Sequence, residues 1–202
     1  CLVDMRFKGV RVDLEKAAFI KKDLMAREAK IISKIKNLTG LEVEIHAARS
    51  IAKAFDKLKL PYDRTAKSNE PSFTKNFLQN HPHELATCIA DAREINKAHT
   101  TFIDSITKHA HKGRIHADIN QIRSDQGGTV TGRFSMSNPN LQQIPARHPE
   151  IGPMIRSIFI PEEKHKWGCF DYSQQEPRIL VHYAKLQNLD GVDEIVNAYN
   201  AG

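Results

Sequence analysis

The sequence predicts an α+β fold in which a helical region precedes a mixed one. Through most of the first 110 positions, apolar residues recur at the period of a helix with one buried face. From Lys112 onwards, short alternating runs interrupted by Gly and Pro replace that period, which is typical of strands and turns. We therefore predict a helical region over residues 1–110 and a mixed region over residues 111–202.

The composition is that of a folded domain. The chain is 40% hydrophobic and its net charge is +6, a modest excess that suits an anionic partner but that many enzymes share. It contains neither an apolar run of membrane-spanning length nor a secretory leader. The three cysteines, at positions 1, 88 and 169, form neither a disulfide framework nor a zinc spacing. We expect a cytoplasmic protein, in the host cytoplasm if a phage encodes it.

The two ends of the sequence indicate whether it is a whole polypeptide or a part of one. It begins at Cys1 rather than at Met, and it stops just after a helical pattern that runs from Val192 to Tyr199. We therefore expect a piece of a longer polypeptide.

The helical region is predicted to contain four main helices. Asp13 is placed as the N-cap of the first helix and Gly40 as its C-terminal cap. A second helix is predicted from Ser50 to just before Pro61. A short third helix covers residues 72–79 and a long fourth helix covers residues 83–107. Residues 61–71 are predicted to be a polar loop.

The mixed region is predicted to hold three strands. The first begins near Ile115 and the second covers residues 129–135, after the break at Gly127 and Gly128. The third ends at Asp171 and turns directly into a helix. The apolar residues of that helix are expected to form one buried stripe, which consists of Ile179, Leu180, Tyr183 and Leu186.

Two segments of the mixed region carry a recognisable pattern. Residues 129–145 read T-V-T-G-R-F-S-M-S-N-P-N-L-Q-Q-I-P, and residues 171–178 read D-Y-S-Q-Q-E-P-R. In this order they resemble the family A DNA polymerases, whose patterns are T-x-T-G-R-x-S-x-x-x-P-N-L-Q-x-I-P and D-Y-S-Q-x-E-x-R. Weaker similarities at Gly9–Asp13, Leu60–Thr65 and Arg93–Thr101 extend the resemblance over nearly the whole chain.

The resemblance implies a fold and an activity. The fold is a helical thumb followed by the first part of an antiparallel-sheet palm. The activity is template-directed addition of deoxynucleotides to a primer 3′ end, with primer–template DNA and deoxynucleoside triphosphates as partners and two Mg²⁺ ions as cofactors. Two alternatives stay open, a non-catalytic nucleic-acid-binding protein on the same fold and a single-subunit phage-type RNA polymerase. The spelling D-Y-S-Q-x-E favours DNA.

The D-Y-S-Q segment is the expected catalytic and nucleotide-binding element. By resemblance Asp171 is one of two metal-binding aspartates, and the main-chain carbonyl of Tyr172 assists it. The resemblance also makes Glu176 a steric gate against a 2′-hydroxyl, and it places Ser173 and Gln174 in the nucleotide site. The residues alone allow a plainer interpretation, in which Asp171 caps the following helix and Ser173 and Glu176 form a capping box.

Two positions depart from the family pattern. Pro177 stands where the family usually has Leu, and Gln175 where it often has Ile. Because Pro disfavours helical geometry at the preceding residue, we expect the helix to begin later than in relatives.

A second group of residues is expected to contact DNA. By resemblance Arg133 reaches the minor groove at the primer terminus, where every base pair presents an acceptor, and it counts among the catalytic residues. Gln142 and Asn140 offer neutral donors to the duplex, although such residues are more often turn formers. Arg93 and Lys97 are expected near backbone phosphate.

Two further family motifs are not found in the 202 residues. One is the helix that grips the incoming triphosphate, and the other is the His-Asp-Glu turn that carries the second metal aspartate. We therefore expect the chain alone to be inactive, because one carboxylate does not complete a two-metal site.

Overall fold

The structure is a computed structural model that describes residues 1–124, 127–146 and 148–201. By its internal contacts the chain divides into two compact units, Cys1–Glu163 and Lys164–Gly202. The boundary predicted near residue 110 falls inside the first unit and stays a prediction.

The first unit is built mainly from helices. Long α2 and α5 pack against each other, α4 packs on α5 and α7 packs on α2. The helices are α1 (Leu2–Lys8), α2 (Leu14–Thr39), α3 (Ala48–Lys57), α4 (Lys75–Asn80), α5 (Glu84–Lys97), α6 (Asp104–His109) and α7 (Ile151–Arg156). A π-helical segment, Ala98–Ile103, joins α5 to α6, and a short 3₁₀ turn covers Leu141–Gln143.

The predicted ends of α2 are confirmed. The Asp13 carboxylate accepts a hydrogen bond from the backbone N–H of Lys16 at 2.9 Å, which satisfies one of the unpaired donors of the first turn. Gly40 adopts the left-handed conformation (φ 63°) and donates its N–H to the Lys36 carbonyl, so the helix ends without steric cost to a side chain.

Two of the predicted helix starts are wrong. α3 begins at Ala48, before Ser50, because the Ser50 hydroxyl accepts from the Glu44 N–H in the preceding turn instead of capping the helix. α4 begins at Lys75 rather than at Ser72, since Thr74 is the residue whose hydroxyl accepts from Phe77 N–H. The predicted polar loop before it contains a small hairpin of β2 (Asp63–Arg64) and β3 (Pro71–Ser72).

The predicted long fourth helix is interrupted by the π-helical segment. Thr100 lies in this segment and donates its hydroxyl hydrogen bond to the Asn96 carbonyl at 2.7 Å. A side chain that binds a carbonyl of the preceding turn competes with the regular helical ladder, which is consistent with the wider turn here. The helical run then continues to His109.

The remaining strands are short and antiparallel. β1 (Val10–Arg11), β5 (Arg114–Ile115) and β4 (Ala110–His111) form one sheet in that order, and β6 (Asp118–Asn120) pairs with β7 (Ser135–Ser137). Lys112 and Gly113 both have positive φ, which gives the two-residue turn that joins β4 to β5.

The strand predicted over residues 129–135 is wrong for most of its length. The observed strand β7 begins only at Ser135. Before it, Gly132 has φ 77° and the Thr129 hydroxyl donates to the Arg133 carbonyl at 2.6 Å, so the chain folds into a turn. The motif T-G-R therefore lies on a turn rather than in a sheet.

The first unit contains two hydrophobic clusters. The distal core is formed by α3, α4 and the facing ends of α2 and α5, and its fully buried members include Ile35, Phe55, Leu78, Leu85 and Ile89. The proximal core is formed by the start of α2, the π-helical segment, α6, β5 and α7. Its members include Leu24, Ile103, Ile106, Ile115 and Ile155. α2 and α5 thus connect the two cores.

The second unit is a pair of helices, α8 (Gln175–Leu186) and α9 (Val192–Ala201). Lys185 lies 3.0 Å from Asp193, and the Arg178 guanidinium lies over the Tyr199 ring at 5.0 Å. The strand predicted up to Asp171 is wrong, since residues 167–172 form no strand.

The buried stripe predicted on α8 is also wrong. Its four side chains, Ile179, Leu180, Tyr183 and Leu186, are between 47% and 70% exposed. A single pair of helices has no second layer of its own against which such a stripe could be buried.

No helix in the described part of the chain is both long enough and apolar enough to cross a membrane.

Candidate nucleic-acid interface and metal carboxylate

Three predicted DNA-binding residues lie on two turns that are bonded to each other. The Gln142 side-chain amide donates to the Phe134 carbonyl at 3.1 Å, and Phe134 follows Arg133 directly. The Asn140 side chain accepts from the Gln142 backbone N–H at 3.1 Å and so caps the 3₁₀ turn. The Arg133 turn and the Gln142 turn therefore form one motif loop, which we define as residues 129–145.

The motif loop is also anchored to the sheet. The Asn138 side chain donates to the Asp118 carboxylate at 3.0 Å, and the same carboxylate forms an ion pair with Arg6 of α1. Asn120 donates to the Ser137 hydroxyl on the paired strand at 3.2 Å. These contacts fix the loop at β6, while Arg133 stays exposed at its surface.

The two cations predicted on α5 differ in their surroundings. Lys97 is exposed, with its ammonium 5.8 Å from the centre of the Phe102 ring. Arg93 is half-buried and donates to the Ile45 carbonyl at 2.5 Å and to the Phe73 carbonyl at 2.7 Å. Burial lowers the pKa of Arg93 from its ordinary value. Arg93 thus joins two loops of the distal core, and its contact with phosphate stays a prediction.

A cavity of about 480 Å³ separates α5 from the motif loop. Arg93, Lys97 and Phe102 line one side, whereas Gln143 and Pro145 line the other. The first unit therefore brings the α5 cations and the motif loop to a common cavity, although they lie far apart in the sequence.

Two acidic residues also line this cavity. Burial, followed by the charge of Glu94, raises the pKa of Asp91. Glu94 lies 3.8 Å from the Lys75 ammonium and 3.4 Å from His148 Nε2. No sequence pattern assigns a role to His148. Its position could have indicated a role, because an acceptor side chain just before a short helix can bind the free N–H groups of the first turn.

Of the predicted catalytic residues, Asp171 and Glu176 lie in the second unit, whereas Arg133 lies in the first. Asp171 and Tyr172 are exposed, and Tyr172 shares a surface depression with Ser173 and Arg178. Glu176 lies in the first turn of α8. No contact described within the second unit tests the metal, sugar or nucleotide roles of these residues, which stay predictions.

The start of α8 explains how Pro177 fits. The N-cap is Gln174, with φ 53°, so the helix begins one residue later than a capping box of Ser173 and Glu176 requires. Pro177 is then the third helical residue. A backbone N–H at that position has no partner within the helix, so the lack of an N–H in proline costs little. The Arg178 guanidinium donates instead to the Ser173 carbonyl at 3.0 Å.

The donor atoms at Asp171 suit a hard cation in kind but not in number. A carboxylate and the Tyr172 main-chain carbonyl supply oxygen ligands of the sort that Mg²⁺ prefers. Within residues 1–124, 127–146 and 148–201, no three His, Cys, Asp or Glu side chains group together as a metal site would. Asp171 therefore fits as one ligand of a site that needs others.

Comparison with known proteins identifies the family. The family model described as DNA polymerase family A matches residues 15–195, nearly the whole chain. This chain belongs to DNA polymerase family A. The resemblance carried by the two sequence motifs is thereby confirmed, and family A polymerases are metal-dependent enzymes.

Relatives occur in phage and in bacteria. The chain is 34% identical over 195 residues to the DNA-directed DNA polymerase of Pseudomonas phage M6, and the match covers 92% of this chain and 29% of that protein. It is likewise 34% identical over 194 residues to DNA polymerase I of Geobacillus stearothermophilus, covering 93% of this chain and 21% of that protein. The chain thus spans less than a third of the length of either relative.

The fold is confirmed by a solved structure. The POL domain of Pol1 from M. smegmatis, in complex with DNA primer-template and dNTP, matches this chain with a TM-score of 0.74 and 26% identity. The match covers 91% of this chain and 32% of the other. The predicted α+β class, with helices followed by antiparallel strands, is therefore confirmed.

Proposed function

We propose that this chain is part of a longer, template-directed DNA polymerase that adds deoxynucleotides to a primer 3′ end. Beyond family membership, the observation that carries the proposal is the bond between Gln142 and the Phe134 carbonyl. It joins the exposed Arg133 turn to the Gln142 turn within the motif loop. Such a loop suits a duplex end, because it presents several donors at fixed spacing.

The DNA partner is proposed to be a primer–template duplex. Arg133 and Gln142 would donate to minor-groove acceptors of the terminal pairs, since purine N3 and pyrimidine O2 occur in every base pair. Lys97 would contribute a phosphate contact that is independent of sequence. The net charge of +6 supports binding to such a polyanion.

The metal is proposed to be Mg²⁺, held by Asp171 and the Tyr172 carbonyl together with ligands from other parts of the enzyme. When bound, the two ions lower the charge on the attacking oxygen and on the triphosphate. The chain's own residues would orient the reactants. Arg133 would hold the terminal base pair, and Glu176 would border the sugar of the incoming nucleotide and exclude a 2′-hydroxyl.

The regions and the compartment are proposed on the same basis. Residues 1–110 would form the thumb and residues 111–202 the first part of the palm. The polymerase would act in the cytoplasm, in the host cytoplasm if a phage encodes it.

Two other functions receive less support. A phage-type RNA polymerase is disfavoured because the relatives described above are named DNA polymerases. A non-catalytic binding protein would need a positively charged surface, but it would not need Asp171, Tyr172 and Glu176 together.

A primer-extension assay on the longer protein tests the proposal. Asp171→Asn should abolish Mg²⁺-dependent extension while primer–template binding stays nearly unchanged, because the amide lacks the charge that holds the cation. Asp190→Asn, at an exposed carboxylate of the same unit, is the matched control and should extend normally. Extension by Asp171→Asn within tenfold of wild type would refute the assignment.

A further inference from the structure

A side-chain contact crosses the cavity between α5 and the segment that follows the motif loop. His148 Nε2 lies 3.4 Å from the Glu94 carboxylate, and both side chains are partly buried, with 28% and 35% exposed. The same carboxylate lies 3.8 Å from the Lys75 ammonium of α4. One acidic residue of α5 therefore meets groups from two other segments.

The other ring nitrogen of His148 fixes its tautomer. Nδ1 lies 3.2 Å from the Glu150 backbone nitrogen and 2.9 Å from the Ile151 backbone nitrogen, and both are donors. Nδ1 must therefore carry a lone pair, so the proton of the neutral ring is on Nε2 and is directed at Glu94. His148 thus binds the free N–H groups at the start of α7 with one nitrogen and contacts α5 with the other.

The segment around His148 has two further attachments. Arg156 of α7 donates to the Pro145 carbonyl at 3.0 Å, and Glu150 forms an ion pair with Arg27 of α2. Pro145 is the last residue of the motif loop. The end of the motif loop is consequently attached to α7, and the segment that follows it is attached to both long helices.

The contact between Glu94 and His148 lies beside the residues that are proposed to bind DNA. Arg93 and Lys97 line the same cavity wall as Glu94, and Gln143 lines the wall that His148 belongs to. The contact between Glu94 and His148 therefore links the helix that carries Lys97 to a residue that lies just beyond the motif loop. Lys97 and the motif loop are both proposed above to touch the same duplex.

We propose that His148 is a positioning residue which, through Glu94, holds the motif loop at the spacing from α5 that a primer–template duplex requires. This inference rests on the proposed function. A contact between partly exposed side chains adds little to folding stability. Its loss should therefore appear as weaker DNA binding, whereas the midpoint of thermal unfolding should barely change.

Two substitutions distinguish the roles of the two ring nitrogen atoms of His148. In His148→Asn, the side-chain oxygen takes the place of Nδ1 and can still accept from the start of α7, but nothing replaces Nε2. In His148→Gln, the side-chain nitrogen takes the place of Nε2 and can still donate to Glu94, but nothing replaces Nδ1. Binding of primer–template, kcat, KM for the primer–template and thermal unfolding are measured for both, in the longer protein.

We expect His148→Asn to weaken binding and to raise KM for the primer–template about fivefold, which corresponds to about 1 kcal/mol. Its kcat with saturating DNA and its unfolding midpoint should match wild type. His148→Gln should bind DNA like wild type and unfold at a slightly lower temperature, because a helix start loses its acceptor.

Glu94→Ala tests the same contact from the other side and replaces His148→Asn if that variant does not fold. It should weaken binding to a similar extent, and the double variant should be no weaker than either single one. Glu84→Ala is the matched control, because Glu84 lies on the same helix but pairs with Lys34, away from the cavity.

Three results would overturn the inference. They are unchanged binding by His148→Asn and Glu94→Ala, an equal loss in His148→Gln, and additive losses in the double variant. If the wild-type protein extends primers while both variants behave normally, only the role of His148 is wrong. If the wild-type protein neither binds nor extends primer–template, the proposed function itself fails.

Discussion

Gln142 and Phe134 are joined by a hydrogen bond of 3.1 Å from a side-chain amide to a main-chain carbonyl. The bond uses one of the two N–H groups of the Gln142 amide, and the other can still donate to DNA. What it provides is a fixed relation between the Arg133 turn and the turn that Asn140 caps.

Gln142→Glu is therefore expected to disturb the whole loop rather than one contact. Glu has the same shape but offers an acceptor where Gln142 offers a donor, so it would face the Phe134 carbonyl unfavourably. Primer extension by the longer protein should slow roughly tenfold, the size expected when one donor bond is replaced by a repulsive contact. Gln143→Glu is the neighbouring control, and equal losses from both would show that the added charge, and not the bond, is responsible.

Arg133→Ala should slow extension and should do so most from mismatched primer ends. A minor-groove contact depends on the geometry of the terminal pair, which a mismatch already disturbs. Single-nucleotide extension from matched and mismatched primers measures the difference, and Arg123→Ala controls for the loss of one exposed cation nearby. If matched and mismatched ends extend at unchanged rates, Arg133 is a turn residue only.

Glu176→Ala should ease incorporation of ribonucleotides, because a smaller side chain leaves room for a 2′-hydroxyl. Pro177→Leu should change the same selectivity. Its new N–H can donate to the Ser173 carbonyl, which Arg178 now occupies, and α8 can then begin earlier. The ratio of ribonucleotide to deoxynucleotide incorporation is the measurement, and no shift with either variant would place the gate elsewhere.

Arg93→Ala should destabilise the distal core. It removes two charged hydrogen bonds from half-buried carbonyl groups, a loss of about 2–4 kcal/mol in the free energy of unfolding. Urea unfolding measures it. Lys97→Ala, one turn along the same helix face, should leave stability nearly unchanged and weaken DNA binding instead. Equal stability of the two variants would contradict this division of roles.

Asp91→Asn should raise the unfolding temperature at neutral pH. The pKa of Asp91 is raised in the folded state by burial and by Glu94, so its ionised form costs stability above that pKa. The cost disappears once the pH falls below the ordinary Asp value, where both states hold the proton. Because Asp91 is partly exposed to solvent, we expect a small gain at pH 7 that vanishes near pH 3.

Glu42→Gln is a control for which we expect the opposite change in stability, a loss at neutral pH. The hydrogen bond and the charge of Lys36 lower the pKa of Glu42, so its contribution to stability is present at neutral pH and is lost as the pH falls. A gain from both substitutions would show that the removal of negative charge is what stabilises the protein.

Local signals in the sequence were sufficient for parts of the fold. Asp13 and Gly40 mark the ends of α2 because capping depends on a few adjacent residues. The family motifs likewise identified the fold, which the comparisons confirm. Periodicity also predicted the helical stretches between residues 14 and 109, with errors mainly at their ends, but it did not predict α1.

The errors lie where distant residues decide the outcome. The apolar pattern around Asp171 and along α8 predicted a strand and a buried face, but strand pairing and burial both require a partner layer. The residues between 129 and 135 have strand-like composition, yet a side-chain bond from Thr129 and the turn at Gly132 decide their shape. The cavity between α5 and the motif loop joins segments far apart in the chain, so no local pattern predicts it.

The two hydrophobic cores of the first unit both draw on α2 but have no buried residue in common. The distal core draws on residues 35–92, whereas the proximal core draws on the start of α2, residues 98–117 and α7. Such an arrangement permits partial opening, in which the distal end loses its packing while the proximal end keeps its amide protons protected from exchange. The distal end can then change in sequence without loss of the scaffold that supports the motif loop.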